Sequence, residues 1–189
     1  GIPPERIVVT PNGVDPAFHP ATHDTTARPY ALAVGAIQER KNQRAALAAA
    51  REAGLRLVVV GPVKDERAAA ELREGGARLE GYVEVERLAE LYRGAACLVQ
   101  SSRYEGFGLP LVEAMASGTP VVTVPDPALV EVADEAAVVV PEAELAAGIR
   151  RAVEERVTLA AAGLERARVF TWEATARATV TAYVEALAD

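Results

Sequence analysis

Short runs of Val, Leu and Ile alternate along this chain with longer stretches rich in Ala, Glu and Arg. Strands of that kind, separated by helices of that length, build βαβ units and a parallel sheet. The pattern predicts strands at Ile7 to Thr10, Tyr30 to Val34, Leu55 to Val60, Leu79 to Val83, Cys97 to Gln100, Val121 to Val124 and Ala137 to Val140. Several are apolar without interruption, as Leu57-Val58-Val59-Val60 is, which fits strands covered by helices on both faces. The fold class expected is α/β, a doubly wound parallel sheet with helices on both faces.

Helices are expected over Asn42 to Ala53, Glu66 to Glu74, Val85 to Gly94, Leu109 to Ser117 and Glu142 to Glu155, with two more between Val157 and Leu187. Gly54 and Gly118 follow helix ends, where a left-handed cap residue is wanted, and Pro110 falls in a first turn, where its missing N–H costs nothing. In the last helix Trp172, Val180, Tyr183 and Leu187 lie at spacings that form an apolar stripe, which usually packs on a core, and part of that face is expected to be exposed in this chain alone. Pro11 to Pro29, rich in Pro, Asp and Thr, reads as a connecting segment. The division expected is a lead-in and hinge over residues 1–28 and one binding domain, with its C-terminal helices, over residues 29–189.

Charge and composition narrow the partners. With 27 acidic against 20 basic residues the net charge is -7, a field that repels phosphate backbones and anionic headgroups, so nucleic acid and lipid surfaces are poor partners. The apolar stretch Ala136 to Pro141 falls far short of the ~20 residues that cross a bilayer, so no transmembrane segment is expected. Cys97 sits in the apolar run Ala95 to Val99 and reads as a small buried hydrophobe in a reducing cytosol. His19 and His23 are four apart, but Pro20 between them prevents a helical pair of metal ligands.

Chemistry is concentrated where strands give way to helices. After the strand ending at Gln100 comes Ser101-Ser102-Arg103-Tyr104-Glu105-Gly106-Phe107-Gly108-Leu109-Pro110-Leu111-Val112-Glu113. Ligands of open α/β sheets bind beyond the carboxyl ends of strands, and the free N–H groups of a helix start attract anions. Gly106 and Gly108 let the backbone approach a phosphate or a sugar, while Glu105 in the loop and Glu113 on the helix offer two acceptors to a polyhydroxyl ligand. Glu113 is flanked by Leu111-Val112 and Ala114-Met115-Ala116, so an acid on that apolar helix needs a partner. A second strand-to-helix junction, Gly35-Ala36-Ile37-Gln38-Glu39-Arg40-Lys41-Asn42, carries one of the chain's two lysines beside an arginine. Arg40 as a fork and Lys41 as a point charge can clamp a diphosphate.

The pattern Glu-Gly-Phe-Gly-Leu-Pro-x-x-Glu-Ala-Met-Ala-x-Gly-x-Pro-Val-Val, Glu105 to Val122, resembles the retaining glycosyltransferases of family four. Further pieces of the resemblance are Pro11-Asn12-Gly13-Val14-Asp15 with Phe18, Gly35 through Arg40-Lys41-Asn42, Leu88 to Ala95, and Phe170-Thr171-Trp172-Glu173. In family order they cover nearly the whole chain. The resemblance implies one half of the GT-B fold, a Rossmann-like domain that holds the donor, with the acceptor domain outside this chain. It implies that Arg40 and Lys41 bind the donor diphosphate and stabilise the leaving group in place of a metal, so neither metal nor cofactor is expected. Glu105 and the backbone from Phe107 to Leu109 would hold the sugar hydroxyls, Glu113 the ribose, and the backbone at Tyr82 and Val83 the base. Transfer would proceed with retention by front-face attack.

The pieces at Arg40-Lys41-Asn42 and Phe170 to Glu173 most resemble the mannosyltransferase-like branch, which implies a GDP-mannose donor, with UDP-sugars the alternative. A glycan or lipid-linked acceptor would be reached through the other domain, at the cytoplasmic side or the inner membrane face. Alone, the chain is expected to bind nucleotide without turning over. It departs from the family pattern at Gln100-Ser101, where Pro-Ser is common, and at Pro125-Asp126-Pro127-Ala128, while Glu131 is a weaker match to a frequent family glutamate.

Two rival readings remain. Gly106-Phe107-Gly108 after a strand, with Asp126 about 20 residues on, has elements of an NAD-binding fingerprint, but the third glycine is missing, Pro110 stiffens the turn, and five residues separate strand from glycines. A non-catalytic scaffold would use the glycines only for turns.

Overall fold

In a computed structural model that describes residue 3, residues 6–20 and residues 30–188, the chain alternates strand and helix. The elements are β1 (Tyr30–Val34), α1 (Gln43–Glu52), β2 (Arg56–Val60), α2 (Glu66–Glu74), β3 (Arg78–Gly81), α3 (Val85–Gly94) and β4 (Cys97–Gln100), continuing with α4 (Leu109–Ala116), β5 (Val121–Thr123), α5 (Pro127–Ala133), β6 (Val138–Val139), α6 (Leu145–Glu154), α7 (Arg156–Ala167) and α8 (Trp172–Ala188). His23 and the remainder of the connecting segment from residue 21 to residue 29 lie outside the described residues.

The strands form one parallel sheet in the order β3-β2-β1-β4-β5-β6, the Rossmann order. Side chains alternate between the two faces with the period of a strand. Ala31 and Ala33 of β1, Leu57 and Val59 of β2, and Cys97 and Val99 of β4 join one apolar cluster with α1, α2 and α6. Leu32, Val58, Val60 and Leu98 join a second with α3, α4 and α5. Because both faces are covered, the central strands β1, β2, β4 and β5 are mostly apolar, whereas the edge strand β3, Arg-Leu-Glu-Gly, is not.

Local signals placed many boundaries. Asp65 caps α2 by accepting from the Ala68 N–H at 3.0 Å, and β4, α2 and α3 span the residues their sequence predicts. The expected strand at Ile7 to Thr10 does not form. Ile7, Val8 and Val9 are 57%, 52% and 70% exposed and pair with no described strand, so β-branched propensity alone did not make one. The third strand stops at Gly81, whose φ of 71° turns the chain before Tyr82 and Val83. One helix, α5, was not expected: Asp126 accepts from the Ala128 and Leu129 N–H groups, and Pro127 occupies the first turn, so the Pro-Asp-Pro run starts a helix instead of extending a loop.

The two ends of the described chain meet. Gly13 is buried against α8, where a Cβ would lie 2.4 Å from the Trp172 nitrogen, and the Val14 N–H donates to the Phe170 carbonyl at 2.9 Å. Phe18 is buried in the second cluster. Past this anchor the apolar stripe of α8 stays exposed. Trp172, Val180, Tyr183 and Leu187 are mostly exposed, and the Thr175 hydroxyl near the start of the helix donates to the Pro11 carbonyl at 2.6 Å.

Candidate donor-binding site

The sheet order reverses between β1 and β4, and in open α/β sheets ligands bind beyond the carboxyl ends of the strands at such a switch point. The first loop carries Gly35 to Asn42 and the second Ser101 to Gly108. They are bound to each other by the backbone: the Arg103 N–H donates to the Arg40 carbonyl at 2.8 Å, and the Ser101 hydroxyl to the Asn42 carbonyl at 2.9 Å. Residues Glu39–Lys41 form one turn of 3-10 helix, and Asn42, at φ 51°, ends it in the left-handed conformation from which α1 departs. That turn aims Arg40 and Lys41 at the second loop.

Both cations converge on Glu105. Lys41 Nζ lies 2.5 Å from Oε1 and an Arg40 guanidinium nitrogen 3.1 Å from Oε2, while the Gln100 amide donates to Oε1 at 2.6 Å. Arg40 also donates to the Tyr104 carbonyl at 3.1 Å and lies over the Tyr104 ring at 5.2 Å. Lys41 is laid against Gly35, where a Cβ would approach its side chain to 3.1 Å at a φ of 137°. The Glu105 side chain is only 8% exposed, Lys41 11% and Arg40 36%. Burial pushes the Glu105 carboxyl up, but hydrogen bonds from Lys41, Ser102 and Arg40, with the Lys41 charge, outweigh it and leave the group below its ordinary range. Glu105 is thus an ionised counterion, and Arg40 keeps the more open position.

Behind the loop, α4 follows Gly108, which has φ 102° and offers no side-chain cap; Pro110 in the first turn has no N–H, and the Leu111 N–H donates to the Gly108 carbonyl at 2.9 Å. A Cβ on Gly106 would meet nothing within 4 Å, which leaves the loop open on that side. The Phe107 ring turns inward to meet Phe170 edge-on at 5.7 Å, so at this position the backbone alone faces the crevice. A cavity of about 470 Å³ begins at Gly106 and Phe107 and continues past Glu131 and Arg166 to Phe170. Arg40, Lys41 and Glu105 are not part of it, nor of a second cavity of about 530 Å³ between Val14 and Trp172. The charged cluster stands outside both.

Glu113, one turn into α4, has the partner its apolar helix demands: the Tyr92 hydroxyl donates to its Oε2 at 2.7 Å. Burial raises the Glu113 carboxyl, the Tyr92 hydrogen bond opposes this, and the charge of Asp15 adds to the rise. Burial, then the Glu113 charge, hold the Tyr92 hydroxyl well above its usual range, so it stays protonated and donating. Among the described residues no hydrogen bond or ion pair joins Glu113 to the Arg40–Lys41–Glu105 cluster. Tyr82 and Val83 leave the carboxyl end of β3, two strands from β1, with Tyr82 exposed and Val83 packed on the second cluster.

Sequence reasoning missed the residues that support these. Gln100 stood out only as a departure from a pattern, yet its amide bridges Ser102 and Glu105. Asp126 caps α5 and also accepts from the Glu105 N–H at 3.3 Å, which the Asp-Pro helix-start signal could have indicated. Tyr92 carried no signal, since its role exists only once α3 packs on α4.

Comparison with known proteins identifies the family and the fold. Residues 16–169 match the sequence model of a family described as glycosyl transferases group 1. The chain is 36% identical to the Escherichia coli O-antigen chain mannosyltransferase B over an alignment of 172 positions, gaps included, that covers 82% of this chain and 45% of that protein. It is 35% identical to the MMP alpha-(1->4)-mannosyltransferase of Mycolicibacterium hassiacum over an alignment of 208 positions, gaps included, that covers 99% of this chain and 50% of that protein. Its fold superposes on the sucrose-phosphate synthase of Thermosynechococcus elongatus with a TM-score of 0.82 at 28% identity, covering 95% of this chain and 52% of that one. The chain therefore spans about half the length of the curated relatives it matches. With the Rossmann-like half of a GT-B fold in place and 16–169 matched, this chain belongs to the group 1 glycosyl transferases.

Proposed function

We propose that this chain is the donor-binding half of a hexosyltransferase, holding a nucleoside-diphosphate sugar in the crevice between β1 and β4. The observation that carries the reading is the convergence of Arg40 and Lys41 at the topological switch point, on loops locked together by their backbones. The diphosphate lies against Arg40, Lys41 and the uncapped start of α4, which together supply positive charge without a metal. As the glycosidic bond to the diphosphate breaks, negative charge grows on the leaving oxygen, and the two fixed cations stabilise it. Glu105 and the backbone from Phe107 to Leu109 take the sugar hydroxyls, Glu113 the ribose, and the backbone at Tyr82 and Val83 the base. Transfer retains the anomeric configuration and needs a second, acceptor-binding half to close the crevice. The two relatives named mannosyltransferases favour mannose as the sugar, and GDP is the carrier proposed for it.

The dinucleotide-binding alternative loses its footing at Ser101 to Glu105. Where a fingerprint needs a tight turn, these five residues instead build the ion-paired cluster. Calorimetric titration of UDP, GDP and ADP tests the proposal. One of them is expected to bind saturably and with the same affinity in excess EDTA. Binding that disappears on chelation would remove Arg40 and Lys41 as the diphosphate clamp, and no binding by any of the three would return the scaffold reading.

A further inference from the structure

Tyr92 is fully buried and fixed on two sides. Its ring meets Phe18 edge-on with centroids 5.6 Å apart, and its own carbonyl accepts from the Thr119 hydroxyl at 2.7 Å. With ring and backbone held, the hydroxyl has a set direction, and at the end of it lies Glu113 Oε2. An ionised carboxylate offers about four lone-pair sites on two oxygens, and among the described residues this is the one side-chain hydrogen bond Glu113 makes. Its second oxygen, Oε1, therefore stays available to a ligand. The neighbouring Asp15 charge repels the carboxylate, and the Tyr92 hydroxyl opposes that push.

We propose that Tyr92 is a positioning residue for donor recognition, whose buried hydroxyl clamps Glu113 Oε2 so that Oε1 faces the ribose hydroxyls in one fixed orientation. The inference rests on the reading of Glu113 as the ribose acceptor. A glutamate free to turn must be ordered each time ligand binds, and that lost rotamer freedom is subtracted from affinity. A residue already held by a buried donor avoids the loss. Tyr92 would thereby set how strongly the site distinguishes a ribose from a sugar without hydroxyls, although it never touches the ligand.

The test measures that discrimination directly. UDP, GDP and ADP are titrated into the wild-type chain, and the tightest is compared with its 2′,3′-dideoxy analogue in wild type, Tyr92→Phe and Glu113→Gln. Phenylalanine keeps the ring against Phe18 and removes only the hydroxyl. Both ligands meet the same folded population, so their affinity ratio is insensitive to a general loss of stability. The expected result is that Tyr92→Phe weakens the ribose ligand roughly three- to tenfold, leaves the dideoxy ligand unchanged, and so shrinks the ratio as Glu113→Gln does. If Glu113→Gln shrinks the ratio and Tyr92→Phe does not, the positioning role falls while the ribose reading stands. If Glu113→Gln leaves the ratio intact, the ribose reading fails and the inference with it. Equal weakening of both ligands in Tyr92→Phe would make the hydroxyl merely structural and overturn the proposal.

Discussion

Replacing Arg40 by alanine is expected to weaken nucleoside diphosphate binding roughly ten- to a hundredfold while leaving the unfolding midpoint nearly unchanged. A hydrogen bond to a charged group contributes about 1.5 to 3 kcal/mol, which is that range of affinity. Arg40 is 36% exposed, so its pairing with Glu105 is screened by solvent and contributes little to the fold. The affinity loss should also shrink as salt is raised, since the wild-type contact is itself partly open to screening. Lys41→Ala should lose both binding and stability. Its side chain is 11% exposed against 8% for that of Glu105, and removing one partner of so buried a pair destabilises, by less than the about 3 to 5 kcal/mol of an isolated pair because Arg40 and Gln100 still hold the carboxylate. Parallel calorimetry and thermal unfolding separate the two variants. If Arg40→Ala bound as tightly as wild type, the clamp would have to be elsewhere.

Glu113→Gln is expected to make the chain more stable and a poorer binder at once. The folded-state value of the Glu113 carboxyl is raised, by burial first and by Asp15 as well, despite the Tyr92 hydrogen bond. A raised carboxyl holds its proton more tightly folded than unfolded. Its contribution to stability is complete below the unfolded value of about 4.3 and is lost as pH rises through the folded value. At pH 7 the wild type therefore carries the cost of a partly desolvated charge that glutamine lacks, and the amide oxygen can still accept from Tyr92. The stability advantage of the variant should be largest at neutral pH and fade toward pH 4. Nucleoside mono- and diphosphate should weaken by similar factors, on the order of tenfold, since both keep the ribose. Urea unfolding across pH, beside titrations of the two nucleotides, checks both halves. A variant less stable at pH 7 than at pH 4, relative to wild type, would contradict the burial argument.

The sheet was legible in the sequence because both of its faces are buried. Leu57 to Val60 and Cys97 to Val99 have no polar side, and that pattern belongs to a covered parallel strand. Ile7 to Val9 carries the same residue types, yet lies exposed, because propensity says nothing about whether a neighbouring strand is there to pair. The start of α5 was hidden by two prolines that normally read as loop, although Asp126 before Pro127 is itself a helix-start signal. At the site, Arg40, Lys41 and Glu105 were legible as charged residues at two strand ends, but their convergence depends on β1 and β4 being neighbours. Glu113 showed that it needed a partner. That the partner is Tyr92, 21 positions earlier on another helix, is a fact of packing alone.

The central claim is that a nucleoside diphosphate occupies the crevice between β1 and β4. Amide chemical-shift mapping by NMR tests it most directly, with the tightest of UDP, GDP and ADP titrated into isotopically labelled chain. Saturable shifts are expected at Gly35 to Asn42 and Ser101 to Leu109, with a smaller set at Tyr82 and Val83. Shifts confined to the cavity between Val14 and Trp172, or no saturable shifts for any of the three nucleotides, would contradict it.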